Sequence, residues 1–284
     1  MLLHRIIVIT IAIIVATQAD ASPGDRDTLK VCAPPSNLPM SNRNGEGYEN
    51  KIAELLARKL GLPLEYEWFP QRIGFIRNTL RNDNTPDGQF KCDLVIGVID
   101  NFDLAATTQP YLRSAWSMVY VKGRGLDFIE SQDDLKSLTS EQKDKLRIGV
   151  WDKGPAPKWF HHRGLMEHAI PYRMMSGDAQ WNPGKIIEEE LVQDVINLTV
   201  VWGPIAGYYA KRITDHDIVV IPMENELRVK FDYQISMAVR YREPAWKDKI
   251  DLLIGENQSE IDAILDAYGI PRLEAIRLTN DAGD

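Results

Sequence analysis

Two hydrophobic periods alternate along the first half of the chain. Tyr48, Ile52, Leu55, Leu56 and Leu60 recur at helical spacing and Gly61 follows them, which predicts a helix over 48–60 with a glycine stop. On either side the pattern changes. "LKVCA" at Leu29–Ala33 is a short apolar strand, and "PLEYEWFP" alternates with period two. "RIGFIRNTL" predicts a second helix, and "CDLVIGVI" is apolar throughout, as a strand buried on both faces should be. "AWSMVYVKG" is a further strand. The alternation of strand and helix implies a parallel sheet flanked by helices.

The same grammar starts again near residue 146. "KLRIGVWDKG" reads as strand and turn, "PAPKWFHHRGLMEHA" as a helix with proline in its first turn, and "IPYRMM" as a short strand. "PGKIIEEELVQDVIN" has the pattern of an amphipathic helix, "LTVVWGPIAGYYAKR" of strand, turn and helix, and "DIVVIP" and "YQISMAVR" of strands. "WKDKIDLLIGEN" and "SEIDAILDAYGI" close the chain as helices. This predicts two α/β lobes. The first comprises residues 28–119 and 237–276, the second residues 120–236, with a tail at 277–284. The two crossing strands, near Tyr120 and near Ala238, form a hinge. Ligands of open α/β sheets sit beyond the carboxyl ends of the strands, so the expected site is the cleft between the lobes.

The N-terminus adds a compartment. His4 and Arg5 precede an almost unbroken apolar run, Ile6–Ala16, and Ala19-Asp20-Ala21 has the form of a cleavage site. The run is too short to span a bilayer, and residues 1–21 read as a cleavable export signal, the alternative being an uncleaved anchor. No other segment is apolar enough to span, so no stable membrane insertion is expected. Export changes the meaning of the two cysteines, Cys32 and Cys92. In an oxidising compartment a lone pair is usually bridged, at the starts of two neighbouring strands; the alternative is two buried thiols. Of the 284 residues 44% are hydrophobic and 26% charged, enough for a sizeable core. The net charge of −8 comes without blocks of one sign, which argues against a nucleic-acid partner.

The strand-end turns nominate the cleft lining. The first lobe offers Asn37, Met40, Tyr48, Trp68, Arg72, Asp100 and Phe102. Trp116 lies near the hinge, and the second lobe offers Trp151 and Trp202. Aromatic surface with a few polar groups suits a flat or apolar ligand or a protein segment. The alternatives are internal packing for the tryptophans, a core role for Tyr48, a solvated Arg72 and a turn-capping Asp100. His161, His162 and His168 fall on different helix faces, and Glu188–Glu190 read as a solvated face. Neither group has metal-ligand spacing. There is no G-x-S-x-G elbow, P-loop or G-x-G-x-x-G turn, so no catalytic residue, cofactor or metal is expected.

Several phrases carry a resemblance: "NLPMSNRNGEGYENKIAELLA", "FIRNTLR", "CDLVIGV", "ATTQPYLRSAWSMVY", "LRIGVWDKG" and "VVWGPIAGYYA". Over roughly Leu29–Leu273 the chain resembles type II periplasmic binding proteins of the amino-acid-binding kind, and at finer grain the MxaJ/XoxJ family, associated with quinoprotein methanol dehydrogenases. The resemblance implies a two-lobed fold, each lobe a mostly parallel sheet flanked by helices, joined by two hinge strands. It also implies a non-enzymatic periplasmic accessory of a PQQ methanol dehydrogenase. Such a factor would bind the enzyme, a peptide segment of it or its cofactor during maturation or activation. The alternative is a receptor delivering a small solute to a membrane permease; a dehydratase on the same scaffold, with Asp100 and Arg72 as acid and base, is a third reading. One departure matters. Amino-acid binders usually place an arginine between the third strand and the "PY" motif to grip the ligand carboxylate. Here that segment is "VIDNFDLAATTQPY", with Asp100 and Asp103 and no arginine, which argues against an ordinary amino-acid receptor.

Overall fold

A computed structural model describes residues 26–86 and 88–273. The expected export signal at 1–21 and the tail at 277–284 lie outside the described residues. In chain order the described elements are β1 (Leu29–Ala33), β2 (Ser36–Asn37), β3 (Ser41–Asn42), α1 (Tyr48–Leu60), β4 (Leu64–Trp68), α2 (Phe75–Asn78), β5 (Val95–Ile99), β6 (Ala106–Thr107) and β7 (Leu112–Val121). After these come α3 (Ser140–Asp144), β8 (Ile148–Trp151), α4 (Ala156–His162), β9 (Ala169–Tyr172), β10 (Leu198–Trp202), α5 (Gly203–Arg212), β11 (Ile218–Pro222), β12 (Asp232–Val239), α6 (Pro244–Glu256) and α7 (Gln258–Ala267).

α1 forms where its periodicity places it. Tyr48, Ile52, Leu55 and Leu56 are buried, and the chain leaves the helix through Gly61 at φ 68°, a backbone state that favours glycine. Its start is held by the short hairpin of β2 and β3. The carbonyls of Pro39 and Met40 accept from the amides of Tyr48 and Glu49 at 2.8 and 2.9 Å. The side-chain oxygen of Asn50 accepts from the amides of Asn42 and Gly47, each at 3.0 Å. Gly47 is required here: a Cβ would stand 2.0 Å from the Met40 carbonyl oxygen.

The fold is mixed α/β. β1 pairs with β4 in parallel, and Val31 bridges Leu94 in parallel, bringing β1 beside the entry to β5. β8 pairs in parallel with both β9 and β10. Between these parallel groups run two long strands, β7 and β12, antiparallel to each other and to their neighbours. The continuous order is β5-β12-β7-β10-β8-β9, with β6 also on β12 and β11 on β7.

Two large hydrophobic cores result. One gathers β1, α1, β5, the end of β12 and helices α6 and α7, around Leu56, Ile96, Met237, Trp246 and Ile261. The other gathers β7, β8, α4, β10 and α5, around Met118, Trp159, Phe160, Val200 and Ile205. The passage between them falls earlier on both strands than Tyr120 and Ala238, which are themselves packed in cores. Tyr111 and Leu112 belong to one core and Trp116 onward to the other, while Phe231 and Ile235 divide β12 in the same way. The crossing residues pair directly, Ala115 with Asp232 and Arg113 with Gln234, and Arg113 forms an ion pair with Asp232 at this point.

Cys32 and Cys92 are bridged, with Cα atoms 5.6 Å apart. They meet at the end of β1 and in the loop ahead of β5, not at two strand starts. Two helices differ from expectation. α2 spans only Phe75–Asn78, because Gly74 enters with φ 88° and Thr79 leaves helical geometry while its hydroxyl donates to the Phe75 carbonyl at 2.7 Å. Residues 183–191 form a 3₁₀ turn running into a π-helical stretch at Ile186–Leu191. Ile186, Ile187 and Leu191 are buried there, and the i to i+5 hydrogen bonding of a wider turn brings residues of that spacing to one side.

Candidate ligand cleft

A cavity of about 700 Å³ opens between the two cores. From one side Asn37, Met40, Tyr48, Arg72 and Phe102 line it; from the other, Trp116, Trp151 and Trp202 do. Trp116, on β7 just past the crossing, is central. Its ring meets Trp151 edge-on at 5.6 Å and Trp202 at 6.3 Å, and Trp202 in turn meets Tyr233 at 6.2 Å. This continuous aromatic wall forms because β7, β8, β10 and β12 all deliver a ring near the same level. Gly154 lets the β8–α4 turn close over it, since a Cβ there would lie 2.9 Å from the Trp116 ring. Trp151 and Trp116 are 2% and 6% exposed, so they form the floor, not the lip. Tyr48 is core as well, with its phenol pushed well up by burial.

Two expected residues stand off the lining. Trp68 stacks on Tyr66, its neighbour two residues back on the same face of β4, at 4.6 Å, and the Arg43 guanidinium lies 5.6 Å from its ring. Asp100 caps its own turn: its Oδ1 accepts from the Asn101 amide at 2.9 Å and from the hydroxyls of Thr107 and Ser236 at 3.3 Å. Its carboxylate is therefore spent on local donors.

The strand-end turns and the start of α1 offer the cleft few donors for an anion. The β5–β6 turn supplies Asp100 and Asp103 and no arginine. A helix N-terminus binds anions through free amides, but the first amides of α1 are taken by Pro39 and Met40. α4 and α5 open on prolines, Pro155, Pro157 and Pro204, which have no N–H to give. Arg72 does line the cavity, with its guanidinium 4.7 Å from the Phe69 ring, and Lys153 lines it from the second core.

Sequence reasoning missed the group with the most unusual chemistry. Glu49, in the first turn of α1, reads as a solvated acid favoured by the helix dipole. In the fold its carboxyl faces the cavity and rests against the bare α-carbon of Gly97 in β5, where a Cβ would stand 2.1 Å from Oε1. Among the described residues no donor lies within hydrogen-bond distance of it, and burial pushes its pKa up to about 8. Also missed were Ile73 and Ile99, which stand 73% and 48% exposed at the margin of the same cavity. The signal for these was Gly97 inside an otherwise apolar strand, a mark of close approach. β5 is not buried on both faces: Gly97 and Ile99 open into the cleft. Among the described residues no group of His, Cys, Asp and Glu is placed to hold a metal ion, and no helix is long and apolar enough to cross a membrane.

No family model matches the chain. It is 27% identical to Protein MoxJ of Paracoccus denitrificans over 281 residues, covering 91% of this chain and 94% of that one. Among solved structures it is similar to the periplasmic binding protein XoxJ from Methylobacterium extorquens AM1, with a TM-score of 0.68, 29% identity, and coverage of 87% of this chain and all of that one (100%). It also shares the fold of MxaJ from Methlophaga aminisulfidivorans MPT, with a TM-score of 0.72, 23% identity, and 87% and 100% coverage.

Proposed function

Given that the chain belongs to the MxaJ/XoxJ family of periplasmic binding proteins, we propose that it is a periplasmic accessory factor of a PQQ-dependent methanol dehydrogenase. In this reading it uses the cleft to hold a segment of that enzyme during maturation or activation. The observation that carries it is the character of the cleft. It is about 700 Å³ in volume, walled by aromatic rings, without an anion clamp, and bordered by the exposed apolar side chains Ile73 and Ile99. A free amino acid needs its carboxylate neutralised and fully enclosed; the β5–β6 turn of this cleft supplies no arginine for that, and Arg72 of the lining is set against the Phe69 ring. An apolar peptide segment entering from outside would cover Ile73 and Ile99 as well as the aromatic floor, and exposed apolar patches of this kind mark protein contacts. The arrangement of two cores joined by β7 and β12 supports reading them as two lobes about a hinge, with Arg113 and Asp232 at the pivot.

The test is retention of partners from a periplasmic extract of the host by the mature protein, with mass spectrometry of both proteins and small molecules. Recovery of a quinoprotein dehydrogenase subunit, lost in an Ile73→Asp variant, supports the reading. Recovery of a small solute with no enzyme overturns it in favour of a transport receptor.

A further inference from the structure

The cleft combines three features that point to one ligand chemistry. Its floor is a run of aromatic rings, Trp116, Trp151, Trp202 and Tyr233, packed edge to face with successive centroids 5.6–6.3 Å apart. The first two amides of α1 are already taken, α4 and α5 carry prolines in their first turns, and the β5–β6 turn has no arginine. Opposite the aromatic wall sits a single carboxyl, Glu49, seated on Gly97 and without a donor among the described residues. Glu49 is half-buried, and a carboxyl withdrawn from water without a protein partner is unfavourable unless something completes it. An organic cation would do so here, pairing with the carboxylate in a cavity lined by aromatic rings. We propose that the cleft reads a positively charged group, an ammonium or guanidinium carried on an apolar frame, with Glu49 as its counter-charge. This deepens the reading above, resting on the cleft as the occupied surface: the held segment would present a lysine or arginine to Glu49 among apolar neighbours.

The surroundings of Glu49 bear on how this is read out. The phenols of Tyr48, Tyr66 and Tyr111 near it are kept protonated, each raised first by burial, so none supplies competing negative charge. Glu54 is on the same helix, exposed and paired with Lys51 at 3.0 Å. The cationic groups of the lining are Arg72, set against the Phe69 ring, and Lys153; neither is within ion-pair distance of Glu49. With its pKa raised to about 8, the Glu49 carboxyl is mostly protonated at neutral pH, so pairing it with a cation releases a proton. Affinity for a cation then rises with pH until the carboxyl is ionised in the free protein.

The experiment uses the mature full chain and two probes of one shape, 4-phenylbutylamine and 4-phenyl-1-butanol, titrated calorimetrically in buffers of different ionisation enthalpy. The expected result at pH 7 is binding of the amine at least about tenfold tighter than the alcohol, with release of close to one proton per amine and none for the alcohol. Glu49→Gln, which mimics the protonated acid that the folded protein already holds, should fold normally and lose both the preference and the proton release. Equal binding of amine and alcohol without proton release overturns the charge proposal and leaves the cleft as an apolar site. An undiminished amine preference in Glu49→Gln also overturns it, because a group acting only as a hydrogen-bond donor would survive in glutamine. Failure of both probes to bind overturns this proposal together with the cleft-based reading. Capture of the dehydrogenase alongside equal probe binding sinks the charge proposal alone.

Discussion

Replacing Cys32 and Cys92 together by alanine removes a link across 60 residues of sequence. The closed segment holds α1, β4 and α2, which make up much of one wall of the cleft. In the chain-entropy picture, freeing a loop of that length returns roughly 14 cal/mol/K to the unfolded chain, which lowers stability by about 4.3 kcal/mol at 25 °C. The native contacts around the bridge stay in place. The Asp93 amide donates to the Lys30 carbonyl at 2.8 Å, Arg240 bonds Asp93 and Glu243 at 3.0 and 2.7 Å, and Arg26 bonds Asp93 at 2.9 Å. The variant should therefore fold to the same structure and unfold earlier. For a chain of this size the loss corresponds to a fall in Tm of roughly 9–17 °C. Urea unfolding followed by tryptophan fluorescence measures it, with wild type under reductant as a second route to the open loop. Thiol titration of the denatured wild-type protein should find no free thiol. If the double variant and wild type share a midpoint to within about 0.5 kcal/mol, the entropic reasoning is wrong for this loop, and residual structure must already hold its ends together when unfolded.

Three further outcomes follow from particular contacts. The Glu49 carboxyl has an ordinary value of 4.5 and burial lifts it to about 8 in the fold. The folded state therefore binds the extra proton between those values, and stability falls as pH rises from about 4.5 to 8 and then levels; Glu49→Gln should flatten a Tm-against-pH curve over that range, and an unchanged curve would refute the assignment. A Cβ at Gly207 would stand 2.0 Å from the Gly269 carbonyl oxygen, so Gly207→Ala should force α5 away from the chain segment after α7 and destabilise by about 1–3 kcal/mol, read by urea denaturation. Arg240 is 8% exposed and bonds both Asp93 and Glu243; Arg240→Met, which strands Asp93 and Glu243 in a half-buried setting, should cost about 3–5 kcal/mol, and a loss below 1 kcal/mol would show that Arg26 alone satisfies them.

The elements that were legible in the sequence are those whose signal is local. α1 carries its stripe, its glycine stop and its polar loop in consecutive residues, and each is found where expected. Trp151 and Trp202 were legible as candidates because they end strands, and the structure brings both to the cavity lining. The strand-end rule failed for Trp68, whose position on β4 lets it stack on Tyr66 instead, and for Asp100, whose oxygens are closer to Ser236 of β12 than any sequence pattern could reveal. The segment at Ile186–Leu191 has an amphipathic composition that fits more than one helical pitch, and packing of Ile187 and Leu191 into the second core selects the wider one. Glu49 was invisible for a different reason. An acid in a helix's first turn is the most ordinary of residues, and only the close approach of Gly97 from β5 sets it apart.

The central claim is that the cleft is the surface that engages the dehydrogenase. A titration of the purified host methanol dehydrogenase against the mature protein, wild type and an Ile73→Asp/Ile99→Asp double variant, tests it most directly. Both side chains are exposed at the cleft margin and make no contact that holds a core together, so the variant should fold as wild type does. The account predicts saturable binding by wild type and a loss of at least about tenfold in the variant, equivalent to about 1.4 kcal/mol. Undiminished binding by the variant, or no binding by the wild type, contradicts it.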